Sequence, residues 1–122
     1  MVQALVRGIE KQGHDITVIN GKTDTDVSLT PFNYIVIGVQ KSGLITKKAP
    51  EGLSSFLENA GMVSGKRCYA FTLKHGIASG RFLLSIMKTM ESEGMYLKKS
   101  DVISNSAEAE AVGSRLHIDR GK

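Results

Sequence analysis

The chain is 122 residues long, with apolar residues at 41% and a formal charge of +4. That length suits one domain, residues 1–122, and excludes two, while the apolar share excludes a disordered tail. Its basic residues are scattered as the pairs Lys47-Lys48, Lys66-Arg67 and Lys98-Lys99, and aromatics make up only 6%. A nucleic-acid surface calls for a basic stripe with interleaved aromatics, so these charges read as a solvated surface and no nucleic-acid partner is expected.

Val2, Leu5, Val6 and Ile9 recur at helical spacing, and Gly13 stands where a left-handed C-terminal cap belongs, so the chain opens inside a helix. Ile16-Thr17-Val18-Ile19 is a short β-branched run closed by Asn20-Gly21, which predicts a strand entering a turn. Lys22 to Asp26 is polar loop; Asp24 and Asp26 have the spacing of calcium ligands without the rest of an EF-hand loop, and no metal is expected.

Pro31 ends that connection. Tyr34-Ile35-Val36-Ile37-Gly38-Val39 is a continuous apolar run, the mark of a strand covered on both faces in a parallel sheet. It is also the longest such run, too short to cross a bilayer, and Met1-Val2-Gln3-Ala4 lacks the pattern of a signal peptide, so a cytoplasmic protein without membrane contact is expected.

Gln40 to Ala49 is a polar loop. Pro50 suits a first helical position, Leu53, Phe56, Leu57 and Ala60 form a buried stripe, and Gly61 terminates that helix. Cys68 to Thr72 is the next strand. The alternation Arg67-Cys68-Tyr69-Ala70-Phe71 places the single cysteine inside, as a structural thiol and not a reactive one.

Leu73 to Ser79 is a loop in which Ser79 is expected to cap a helix facing inward with Phe82, Leu83, Ile86, Met87 and Met90 and ending at Gly94. The methionines share helical spacing with leucine and isoleucine, as core residues do. A partly polar strand lies within Met95 to Ser104, and a last helix opens at Ser106 and runs through Ala109, Val112 and Leu116.

Three segments carry a resemblance. Gly13-His14-Asp15-Ile16-Thr17-Val18, Phe32-Asn33-Tyr34-Ile35-Val36-Ile37-Gly38 and Gly65-Lys66-Arg67-Cys68-Tyr69-Ala70-Phe71, in that order and spacing, resemble the flavodoxin-like family's leads into its second, third and fourth strands. The likeness also covers Pro50 to Leu57 and Ala107 to Leu116. It implies a three-layer α/β/α fold on a mostly parallel sheet, with the first strand and the phosphate-binding loop of the family absent.

The family holds FMN with loops at the carboxyl ends of its strands. The resemblance implies that the loop after the third strand, here Gln40, Lys41, Ser42 and Gly43, and the loop after the fourth, here Lys74, His75 and Gly76, would line the flavin ring. The first, phosphate-holding loop has no counterpart, and no aromatic stands between Val39 and Pro50 to stack on the ring. FMN binding by this chain alone is therefore expected to be weak or absent.

In the family's strand order the absent strand is central. Its loss would leave the neighbours about 10 Å apart, with costly unpaired backbone between them. Three remedies are open: direct pairing of Ile16–Ile19 with the run at Tyr34, a strand from another chain that makes a homo-oligomer, or residues upstream of Met1. Two functions follow: an FMN-dependent electron-transfer protein with a redox partner protein, or a non-catalytic binding and assembly module on the same scaffold. No catalytic set can be assembled, and none is named.

Overall fold

A computed structural model describes residues 2–20, 24, 27–40, 48–116 and 118. Its elements follow the order α1 (Val2–Glu10), β1 (Tyr34–Gly38), α2 (Glu51–Glu58), β2 (Arg67–Leu73), α3 (Ser79–Ser92), β3 (Tyr96–Ile103) and α4 (Ser106–Arg115). The strands form one sheet in the order β1-β2-β3, and both pairings are parallel. The expected α/β fold on a parallel sheet is therefore present, as three layers.

Period-two alternation on β2 assigns the layers. Cys68 and Ala70 point to one face, where Leu53 and Leu57 of α2 and Phe82, Leu83, Ile86 and Met90 of α3 bury them. Tyr69 and Phe71 point to the other, beneath Ala4, Leu5 and Ile9 of α1 and Ala109 of α4. Both faces of the central strand are dry, as crossover connections require of a parallel sheet.

Helix ends follow local chemistry. The Asn105 side chain accepts the Glu108 N–H at 2.8 Å, and Glu108 reaches back to the Ser104 N–H at 3.3 Å, a reciprocal cap that starts α4. At its other end Gln12 Nε2 donates to the carbonyls of Gly113 at 2.6 Å and Leu116 at 2.9 Å, so a side chain beyond α1 closes α4. Pro50 precedes α2 by one residue, in an extended conformation.

Three expectations change. Ile16–Ile19 forms no strand: Ile16 packs into the layer of α1 and α4, whereas Ile19 packs into the layer of α2 and α3. Ile16 and Ile19 stand an odd number of positions apart, so extended backbone sends them to opposite layers, but among the described residues no ladder joins the segment to β1 and its β propensity gains nothing. Direct pairing with the run at Tyr34 is thus overturned.

Ser79 does not cap α3. Ala78 occupies the cap position, and Ser79 is the first helical residue, its Oγ accepting the His75 N–H at 3.2 Å. Lys66 is not simply solvated either. Its ammonium donates to the Thr30 carbonyl at 2.8 Å and the Phe32 carbonyl at 2.5 Å, pinning the turn that delivers the chain into β1. The cysteine behaves as expected: Cys68 is fully buried, and burial, with a smaller push from Glu91, raises its thiol pKa to about 12.

Candidate functional site at the carboxyl ends of the strands

In open parallel sheets ligands bind beyond the carboxyl ends of the strands, where loops converge. Here β1 and β2 are neighbours, and their exits are laced together. The Val39 N–H donates to the Phe71 carbonyl at 3.2 Å, and the buried Thr72 hydroxyl donates to the Val39 carbonyl at 2.7 Å. Just beyond the end of β2, the Lys74 N–H donates to the Ile103 carbonyl at 2.8 Å and ties in β3.

These bonds bring Gln40 and the stretch Lys74, His75 and Gly76 to the same end of the sheet, all four exposed. Lys41, Ser42 and Gly43 lie outside the described residues. The far end of their loop is anchored: the Ala49 N–H donates to Ser85 Oγ of α3 at 2.8 Å. Both loops therefore hang from one rigid frame of β1, β2 and α3.

The second loop is tightly wound. Gly76 has φ 64° and Ala78 has φ 66°, and among the described residues Ala78 is the one non-glycine residue with positive φ. Left-handed backbone costs an alanine roughly 1–2 kcal/mol, and such strain concentrates where a loop is shaped for a ligand. Ser79 holds the shape by accepting from the His75 N–H and donating back to the His75 carbonyl at 3.4 Å. The turn ends at the amino terminus of α3, and its exposed tip is Ile77, at 68% exposure.

By sequence, residues 40–50 and 73–79 contain Lys41, Lys47, Lys48 and Lys74 and no acidic residue, whereas Glu51 opens α2 and Glu108 lies in the first turn of α4. Neither stretch contains Phe, Tyr or Trp. A planar ring would meet backbone, imidazole and aliphatic surface, without a large aromatic to stack on.

Sequence reasoning located this end of the molecule but missed what shapes it. Thr72 read as an ordinary strand residue, and nothing in the string His75-Gly76-Ile77-Ala78-Ser79 marks alanine as the left-handed position. A second concavity, a shallow groove of about 390 Å³ between α1 and α4, holds Arg7 and Lys11. Both are committed to Glu110, at 3.1 and 2.7 Å, and these hydrogen bonds hold the Glu110 carboxyl below its usual range. Among the described residues no cluster of His, Cys, Asp and Glu could hold a metal, and no helix is long and apolar enough to cross a membrane.

What the fold and the site define is a class: a three-layer α/β/α domain with its loop-bearing end at the carboxyl edge of a parallel sheet. No protein-family model matches the chain, and no curated protein matches it.

Proposed function

We propose that this chain is a flavodoxin-like module whose loops after β1 and β2 meet the ring of an FMN-type flavin, with FMN binding by the chain alone weak or absent. The single observation behind the reading is the convergence of Gln40 and the strained turn His75–Ser79 at one end of neighbouring parallel strands. Backbone polar groups of a tight turn suit the polar edge of a flavin, and the lysines suit its phosphate. The flavin would supply one- and two-electron chemistry to a redox partner, and the protein would bind and orient it.

The weakness follows from composition. Stacking between a ring and an aromatic side chain is worth on the order of 1–3 kcal/mol per contact where measured for nucleobases, and neither loop offers Phe, Tyr or Trp. Titration of the purified chain with FMN, followed by quenching of flavin fluorescence, tests the reading. Shallow quenching that weakens further in Lys74→Ala is expected. Stoichiometric binding at the lowest measurable flavin concentration would overturn the weak-binding part, and no quenching at any concentration would favour the colourless assembly module over the flavin reading.

One observation favours the second reading, a colourless assembly module: β1 pairs with a strand on one side only among the described residues. The two readings separate on purification, by yellow colour against a stable colourless oligomer.

A further inference from the structure

The sequence scatters its basic pairs, and the sheet brings Lys66-Arg67 and Lys98-Lys99 together. Arg67 of β2 is the register partner of Tyr96 at the start of β3, and Lys98 and Lys99 follow on that strand. Alternation along β2 puts Arg67 on the face of Tyr69, and their partners Tyr96 and Lys99 share it, whereas Leu97 packs into the opposite layer. The register slips between Cys68 and Tyr69, which leaves Lys98 bulged out. A bulge re-aims a side chain, and here the Lys98 ammonium lies 5.2 Å over the Tyr96 ring.

These groups are exposed. Tyr96 is 58% exposed and the Lys99 side chain 51%. With one ring face under Lys98, an exposure that large leaves the other face to solvent. The carboxylates of β3 and α4 are engaged: Asp101 accepts the Tyr69 hydroxyl at 2.9 Å and stands 3.9 Å from Lys99, Glu108 holds the Ser104 N–H, and Glu110 holds Arg7 and Lys11. Glu10, exposed on α1, is the other carboxylate of the two helices over this face, and Glu91 and Glu93 stand at the end of α3, in the opposite layer.

We propose that this patch binds single-stranded nucleic acid, with a base stacked on the open face of Tyr96 and adjoining phosphates on Lys98 and Lys99. An aromatic ring set among cations suits such a strand, because every base has a π-face and every linkage a negative charge. The bulge and the charged side chains keep a polypeptide strand from adding to β3, so the occupant is not a peptide in extended form. The patch lies at the amino ends of the strands, and the candidate flavin loops leave their carboxyl ends. The proposal therefore goes beyond the flavin reading and does not rest on it.

The test is fluorescence anisotropy of labelled oligothymidylate and oligouridylate of about 15 nucleotides, titrated with the full chain at low salt in flavin-free buffer. A rise with either strand is expected, the logarithm of affinity falling with the logarithm of salt by about 0.7 per phosphate held. Tyr96→Ala should weaken binding at least about fivefold, and Tyr96→Phe should keep it. Lys98→Gln should weaken binding and flatten the salt slope by about 0.7, whereas Lys88→Gln, the same charge change on α3 in the opposite layer, should do neither. All three positions are exposed, so native urea midpoints are expected; if Tyr96→Ala does not fold, the two lysine variants decide. No rise at low salt overturns the proposal, as do equal losses in Lys98→Gln and Lys88→Gln or a preference for duplex over single strand. Displacement of the strand by polyglutamate as readily as by unlabelled strand also overturns it, and would mark an acidic protein as the partner.

Discussion

Gly8 of α1 and Gly113 of α4 face each other backbone to backbone: a Cβ built on Gly113 would lie 3.1 Å from Gly8 Cα and 3.0 Å from Ile9 N. A Cβ on Gly8 would lie 2.8 Å from Ser114 N and closer still to the Glu110 carbonyl. The absence of side chains at these two points lets the helices approach closely over Tyr69 and Phe71.

A helical glycine usually gains about 1 kcal/mol on becoming alanine, and here the sign reverses. Gly8→Ala or Gly113→Ala pushes backbone against backbone, and a loss of about 1–3 kcal/mol is expected in denaturant midpoints. Gly80→Ala, on α3 with open space around it, is the control and should stabilise. Equal effects at Gly113 and Gly80 would refute the close crossing.

Ala78 carries the strain of the turn at the candidate site. Ala78→Gly releases roughly 1–2 kcal/mol of left-handed backbone cost, against about 0.4–1 kcal/mol of added unfolded-state freedom, so stability should stay level or rise by up to about 1 kcal/mol. Ala78→Val should destabilise, because a β-branched side chain tolerates that region least. Equilibrium denaturation of both variants checks the pair, and a clear loss in Ala78→Gly would show that the alanine is not strained.

Alkaline pH acts on β2. The Cys68 thiol ionises at an ordinary value of 9.0 when unfolded but holds its proton to about 12 when folded, owing first to burial. The Tyr69 hydroxyl is raised in the same direction by burial and then by its 2.9 Å hydrogen bond to Asp101. Above pH 9 the folded state binds more protons than the unfolded state, so this stability is complete below that pH and is lost as pH rises. Urea midpoints measured from neutral to alkaline pH should fall, and less steeply in Cys68→Ala. Parallel curves for the two proteins would contradict the thiol's share.

Much of the fold was legible because its signals are local. The run Tyr34–Val39 announced a strand, and β1 appears there over Tyr34–Gly38, but at the edge of the sheet with only Ile35 fully buried; the strand dry on both faces is β2. The stripe Phe82, Leu83, Ile86, Met87 and Met90 announced the inner face of α3; four of the five are buried and Met87 is partly buried against the same core. At the candidate site, the sequence indicated which loops leave β1 and β2. It could not indicate that Thr72 and Val39 bond across them, since that contact joins residues far apart in the chain.

By itself, then, the sequence determined the helical periods, the apolar strands and the small residues that end elements, because these depend on neighbours a few positions away. Tertiary structure alone decided that Ile16–Ile19 crosses between layers without pairing, that Lys66 reaches the carbonyls of Thr30 and Phe32, and that Gly8 meets Gly113. The physical reason is common to all three. A ladder, an ammonium's acceptors and a backbone crossing each need a second segment, whose position is set by packing of the whole and not by local preference.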